Sequence, residues 1–324
     1  MSGSLRRALA RLGWPSDQTV TLPSTFFGRG PRSLRRLVAG TSDPQVSFWE
    51  FIGNALSKHD DSLAPSAQGV ATDGERWFVG SNRNRIFPTF SPGAIGVYAF
   101  DGRKLAEVEP SSAVLTEIGR LAEDWPSDAD LHFGPPFWTN GTLLVPVQRP
   151  DGIWVLTDSL LRQDWWPDPA PESLYSWIAL EPGSGLLYSS VFERPEKLAA
   201  LRWRTLERVP EADIRLDTGE PFIDHVQGGV FTPSGRVLLA CNDPPLLVCV
   251  SALTGHRFGS LQLRSIVDEV EGLTIAAVPV QDRSGHRRIA HIHILDAVTN
   301  NVPILDDDDD FYVRSYAAIR PDDL

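Results

Sequence analysis

The chain of 324 residues holds only two cysteines, Cys241 and Cys249. Two thiols make no disulfide framework, so a crosslinked mini-scaffold is excluded, and both are expected to be buried free thiols. No apolar run approaches the ~18 residues of a membrane-crossing helix, so no membrane span is expected. Basic charge is scarce: 30 Lys and Arg stand against 42 Asp and Glu, a formal net of −12. A surface of that sign repels phosphates and argues against a nucleic-acid partner. The chain also lacks a Gly-x-Ser-x-Gly elbow, a phosphate loop, a dinucleotide fingerprint and a Cys-x-x-Cys pair. No nucleotide or flavin cofactor is therefore expected.

The basic charge that exists gathers at one end. Residues 1–45 carry seven Arg and two Asp, a net of +5 that leaves −17 for the rest. Ser4 can cap a short helix with Leu5, Leu9 and Leu12 on one face, ended by Gly13 and Pro15. Arg11 interrupts the apolar stretch that a signal peptide needs, which points to a cytoplasmic location. Residues 1–45 are read as a basic, partly helical segment packing on an acidic domain. Residues 1–40 could alternatively serve as an arm for a protein partner.

Against these absences stands a repeat. Gly69, Gly134, Trp177, Gly228 and Gly272 each sit in a short apolar strand with a small or polar start. Four of the five strands lead to a tight turn and a second strand; the turns are Asp73-Gly74, Asn140-Gly141, Ser184-Gly185 and Ser234-Gly235. The spacings are 65, 43, 51 and 44 residues. Four-stranded propeller blades need about 40–50. The excess in the first spacing coincides with Val114, Leu115, Ile118 and Leu121, whose helical periodicity predicts a helical insertion near 111–124. The reading is all-β: a five- or six-bladed β-propeller over residues 46–324, with a short N-terminal helical segment. A terminal strand near 311–319 would close a blade with an N-terminal strand around Val46 to Ile52. A β-sandwich is the alternative.

In such a ring the first strand of each blade lines the central channel and strands alternate in direction. First-strand starts and second-strand exits therefore share one face. The starts offer Gln68, Asp130, His132, Ser176, Asp224, His225, Gln227, Glu269 and Glu271. The exits offer Asn82, Arg149, Asn242 and Asp243. Acids, imidazoles and amides thus converge on one channel mouth, as a small-molecule or metal site requires. Gln68, Asn82, Arg149 and Gln227 are the expected ligand-binding groups. Carboxylates and amides suit Ca²⁺ or Mg²⁺, and imidazole from His132 or His225 extends the choice to Zn²⁺. His291 and His293 share one face of a strand and are read as a polar face between blades. Asp306 to Asp310 are read as a solvated loop, and Trp165-Trp166 as packing on the outer rim.

The segment Gln227-Gly228-Gly229-Val230-Phe231-Thr232-Pro233-Ser234-Gly235-Arg236-Val237-Leu238-Leu239-Ala240-Cys241-Asn242 resembles a strand pair of propellers related to the gluconolactonase, strictosidine-synthase and NHL groups. Glu271-Gly272-Leu273 resembles the Glu-Gly segment that places a metal-binding Glu in the lactonases. The resemblance implies Glu271 as a metal ligand, with Asn82 or Asn242 and Asp130 or Asp224 as its partners. It covers single blades. The expectation is a metal-assisted hydrolase of a lactone or other ester, in which Glu271, Asn242 and Asp130 hold a divalent ion and His132 or His225 is the general base. The alternatives are a non-catalytic binding scaffold and a metal-free cyclase or isomerase.

Overall fold

The computed structural model describes residues 49–58, 67–82, 93–121, 132–148, 150–157, 159–170, 174–217, 223–242, 245–263, 269–282, 284–297 and 311–318. The basic segment 1–45, Asp306 to Asp310, Asp130, Arg149 and Asp243 lie outside them. Among the described residues the strands form five antiparallel sheets, one per repeat. The protein is a five-bladed β-propeller.

The first strand, β1 (Trp49–Lys58), belongs to the last blade. Blade 1 is β2 (Ala67–Thr72), β3 (Arg76–Ser81), β4 (Ala94–Ala99) and β5 (Lys104–Val108). Blade 2 is β6 (His132–Phe133) and β7 (Phe137–Thr139), then β8 (Thr142–Gln148), β9 (Gly152–Thr157) and β10 (Arg162–Pro167). Blade 3 is β11 (Ala179–Leu180), β12 (Leu187–Ser189), β13 (Lys197–Leu201) and β14 (Ile214–Arg215). Blade 4 is β15 (Val226–Phe231), β16 (Arg236–Cys241), β17 (Leu246–Ser251) and β18 (Arg257–Gln262). Blade 5 is β19 (Glu269–Gln281), β20 (Arg287–Ala297) and β21 (Phe311–Ala318), completed on its outer edge by β1. Phe51 pairs with Tyr316 and Ser57 with Tyr312. Two distant segments of the chain thus close the ring through one sheet, β1 overlapping the strand expected around Val46 to Ile52 over its described residues.

Buried side chains gather in five slabs, one between each pair of neighbouring blades. This explains why the middle strands show no polar alternation. Trp77, Phe78 and Val79 are all fully buried because both faces of β3 are covered, as for any strand sandwiched on two sides. Both cysteines are buried free thiols within blade 4.

The helical insertion is α1 (Ser112–Leu121). Ser111 caps it: its Oγ accepts from the Val114 N–H at 3.3 Å, satisfying an orphan donor of the first turn. Val114 and Ile118 pack into the slab between blades 1 and 2. Gln163 on β10 anchors the start of the insertion, accepting from the Ser111 N–H at 2.7 Å and donating to the Glu109 carbonyl at 3.0 Å.

Two inner strands are interrupted. In blade 2, Gly134-Pro135-Pro136 separates β6 from β7, because proline cannot donate to the ladder. In blade 3 the Ser189 hydroxyl lies against the carbonyls of Leu174 and Trp177 and can donate to one of them, and β11 is two residues long.

Candidate functional site

Strands β2, β15 and β19 all begin on the same face, and each begins with a β-bulge. The register slips at Gln68, between Ala67 and Gly69. It slips at Gln227, between Val226 and Gly228. It slips again across Glu271 and Gly272, between Val270 and Leu273. A bulge leaves a residue out of the ladder and re-aims its side chain. The Gln-Gly, Gln-Gly and Glu-Gly pairs of the repeat are therefore one device used three times.

The glycines let the inner strands meet. A Cβ on Gly69 would lie 2.7 Å from the Glu271 carbonyl oxygen, and one on Gly228 would lie 2.7 Å from the Gly272 Cα. Gly272 adopts φ +113°, and a Cβ there would lie 2.6 Å from the Pro135 Cβ. Pro135 belongs to blade 2 and Gly272 to blade 5, which are not neighbours. Pro135 thus lies against the inner strands of both blade 1 and blade 5, close to the axis.

Glu271 is the centre of this face. It is 2% exposed, and among the described residues no ion pair to it is formed. Its Oε1 is 3.5 Å from the Gln227 Nε2; among the described residues its Oε2 makes no hydrogen bond of normal geometry, and its carboxyl lies near that of Glu269. Burial raises its pKa well above the ordinary glutamate value, and Glu269, two residues earlier on the same strand, pushes in the same direction. Burial of a carboxyl favours its protonated form.

The other expected residues fall into two groups. Asn82 links blades 1 and 2. Its Oδ1 accepts from the Phe133 N–H at 2.6 Å, and its Nδ2 faces the His132 Nδ1 at 3.1 Å. With the amide oriented by Phe133, it donates to His132, which places that ring's proton on Nε2. His132 itself is exposed on the rim. Asn242 plays the same part between blades 4 and 5, its Oδ1 accepting from the Val270 N–H at 2.9 Å. Its own N–H donates to the His225 carbonyl at 3.0 Å. His225 adopts φ +47° and stands edge-on to Phe192 at 4.8 Å. Asp224 accepts from the backbone N–H groups of both Arg194 and His225 at 2.9 Å. Burial opposes its ionisation, yet the N–H of Arg194 and its neighbours hold its carboxyl below the ordinary range. Gln68 is half-buried at its bulge.

The structure therefore brings Glu271, Glu269 and Gln227 together, with Asn242 and His225 joined to them through the backbone of blade 5. It places Asn82 and His132 in a separate pair. Asn82 is paired with His132 and Phe133, and Asn242 bonds the Val270 N–H; Asp130 lies outside the described residues. Among the described residues no group of three or more His, Cys, Asp or Glu is placed to hold a metal ion. Sequence reasoning noticed Glu269 without singling it out. It missed the clasp role of the asparagines, although both follow a second strand at the same place in the repeat.

His293 is fully buried. Its Nδ1 meets the Ser315 Oγ at 2.8 Å, its Nε2 meets the Ala276 carbonyl at 3.0 Å, and its ring lies edge-on to Trp77 of blade 1. Burial lowers its pKa to about 4. It is a satisfied histidine between blades, as expected. Trp165 and Trp166 lie on β10, the outer strand of blade 2.

Family models and curated proteins give no match to the chain. Solved structures with a similar course of chain include glutaminyl cyclase of Myxococcus xanthus, 8% identical over 84% of this chain and 100% of that one, with a TM-score of 0.48. The Malassezia sympodialis allergen Mala s 1 is 11% identical over 86% of this chain and 81% of its own, with a TM-score of 0.44. A luciferin-regenerating enzyme is 11% identical over 80% and 82%, with a TM-score of 0.42. The assignment to the propeller class rests on the strand pairing of this chain.

Proposed function

We propose that the channel mouth is the active site of a hydrolase for small esters or lactones, working through a pair of carboxyl groups. The observation that supports this is Glu271: a carboxyl almost wholly buried at the start of an inner strand, with one oxygen unpartnered among the described residues. Burying such a group costs stability, and groups with displaced pKa values in concave sites are candidates for acid–base work.

Neutral Glu271 donates a hydrogen bond to the substrate's carbonyl oxygen, stabilising negative charge as a tetrahedral intermediate forms. Glu269, less buried on the same strand, accepts a proton from the attacking water. As the carbon–oxygen ester bond breaks, the Glu271 proton passes to the leaving oxygen. Proton exchange between the two carboxyls, or with solvent, then restores the pair. The Gln227 amide orients Glu271.

A panel of lactones and aryl esters tests this. Glu271→Gln and Glu269→Gln should each lower kcat/KM by about 10²-fold or more, with unchanged folding. Full activity in Glu271→Gln overturns the reading. A second reading uses the same pair. Two adjacent carboxyls and an amide carbonyl are also what a hard divalent cation takes. In that case a chelator abolishes turnover, Ca²⁺ or Mg²⁺ restores it, and Glu271→Gln purifies with less bound metal. No turnover across the panel, with a protein partner retained on the immobilised chain, would favour the non-catalytic scaffold.

A further inference from the structure

Five large apolar side chains among the described residues are exposed, and four of them share one end of the ring. The mouth lies where first strands start and second strands exit. Because the strands of each blade are antiparallel, third strands end and fourth strands start on the opposite face. Leu161 immediately precedes β10, the fourth strand of blade 2, and is 88% exposed. Leu253 lies in the turn between β17 and β18 of blade 4 and is 90% exposed. Leu105, near the start of β5, and Ile289, near the start of β20, are half-exposed toward the same end. Val191, at a second-strand exit, is the exception.

The two most exposed leucines are held out by their turns. Ser159 and Leu160 adopt φ +59° and +74°, Leu160 packs into the slab between blades 1 and 2, and Leu161 is left outside. At Leu253 the Ser251 Oγ accepts the N–H groups of Leu253 and Thr254, each at 3.2 Å. The Gly255 N–H bonds the Ser251 carbonyl at 2.9 Å and closes that turn. Apolar surface kept in water in this way contributes nothing to the fold.

The charge of this face also departs from the rest. Its connections run from strand end to strand start, and in blade 3 as far as the Leu201–Arg208 bridge. Among the described residues they hold ten Lys and Arg against six Asp and Glu, a net of +4. Residues 46–324 as a whole carry −17. Arg162 follows Leu161, and Arg204 lies on the next blade; both are exposed and neither forms an ion pair among the described residues. Cations beside protruding apolar tips suit an anionic lipid surface, where the cations meet headgroups and the leucines enter the acyl boundary. A nucleic acid would use the charge and leave the leucines in water.

We propose that the face opposite the channel mouth docks on an anionic lipid bilayer. Leu161 and Leu253 enter its surface, and Arg162 and Arg204 meet the headgroups. The chain lies on the bilayer without crossing it, and the mouth points to solvent. This surface is separate from Glu271 and independent of the chemistry there.

Co-sedimentation of the full chain with vesicles of phosphatidylcholine and phosphatidylserine tests this, beside vesicles of phosphatidylcholine alone. The chain should bind the anionic vesicles, lose affinity as salt rises, and bind the neutral ones at least about 10-fold more weakly. Leu161→Ser and Leu253→Ser should each cost about 10-fold in affinity, as re-exposing a buried leucine implies. Both replace exposed side chains, so thermal midpoints should hold. Arg162→Gln combined with Arg204→Gln should weaken binding and flatten its salt dependence. Glu271→Gln should change neither. No binding to anionic vesicles, equal binding to neutral ones, or undiminished binding in the leucine or arginine variants overturns the proposal. So does a leucine-dependent dimer in place of vesicle binding, or a DNA duplex that the leucine variants bind as tightly as wild type binds vesicles.

Discussion

Glu271 and His293 are both buried, and burial favours the neutral form of each, yet the two shifts have opposite consequences for stability. The His293 ring has a partner on each nitrogen, and its pKa falls to about 4. Between pH 6.5 and about 4 the unfolded chain takes up a proton that the fold refuses, so stability is lost as pH falls through that window. Glu271 is raised instead. Above the ordinary glutamate pKa of 4.5 the unfolded side chain is ionised while the folded one is still protonated. Stability then declines with rising pH, by about 1.4 kcal/mol per unit, until Glu271 itself ionises. Glu271→Gln removes this slope. The variant should therefore gain thermal midpoint relative to wild type at pH 8 and differ little near pH 4.5. Parallel midpoints across that range would mean that the carboxyl is ionised in the fold. The importance of Glu271 could be read from its place in the repeat; its raised pKa could not. That shift depends on which groups surround the carboxyl after folding, and Gln227 is 44 residues away in the chain.

At the scale of elements, the strand pairs are local and the joints between blades are not. Hairpin turns such as Asn140-Gly141, with both residues at positive φ, announce themselves in sequence because few residues tolerate that backbone. The asparagine clasps do not. Asn242 reaches Val270, 28 residues on, and Asn82 reaches Phe133, 51 residues on. Each closes a backbone N–H at the start of the next blade. Asn242→Ala and Asn82→Ala should each cost about 1–2 kcal/mol by stranding that donor, read as a lower urea midpoint with unchanged slope. No loss in either would mean that water satisfies the N–H. Helix α1 was legible because it is short, periodic and capped. The interrupted inner strands of blades 2 and 3 were less so, since prolines break the one and the other pairs over only two residues.

At the scale of the whole molecule, the ring is held by five slabs and one seam. The seam is β1 against β21, which joins two distant segments of the chain. Cysteines at Ser57 and Tyr312, which face each other across it, would lock the ring covalently. The disulfide closes a very long loop, so the oxidised variant should be more stable than the same variant reduced by about 3–5 kcal/mol. Equal midpoints with and without reductant would show that the seam is not where the ring opens. The sequence alone determined the repeat, its period and the helical insertion, because turns and strand patterns are short-range properties. Tertiary structure alone decided the rest. It set the number of blades, placed Pro135 against the inner strands of blades 1 and 5, and made Glu271 a buried acid. Each of these depends on contacts between segments far apart in the chain, where sequence spacing carries no distance.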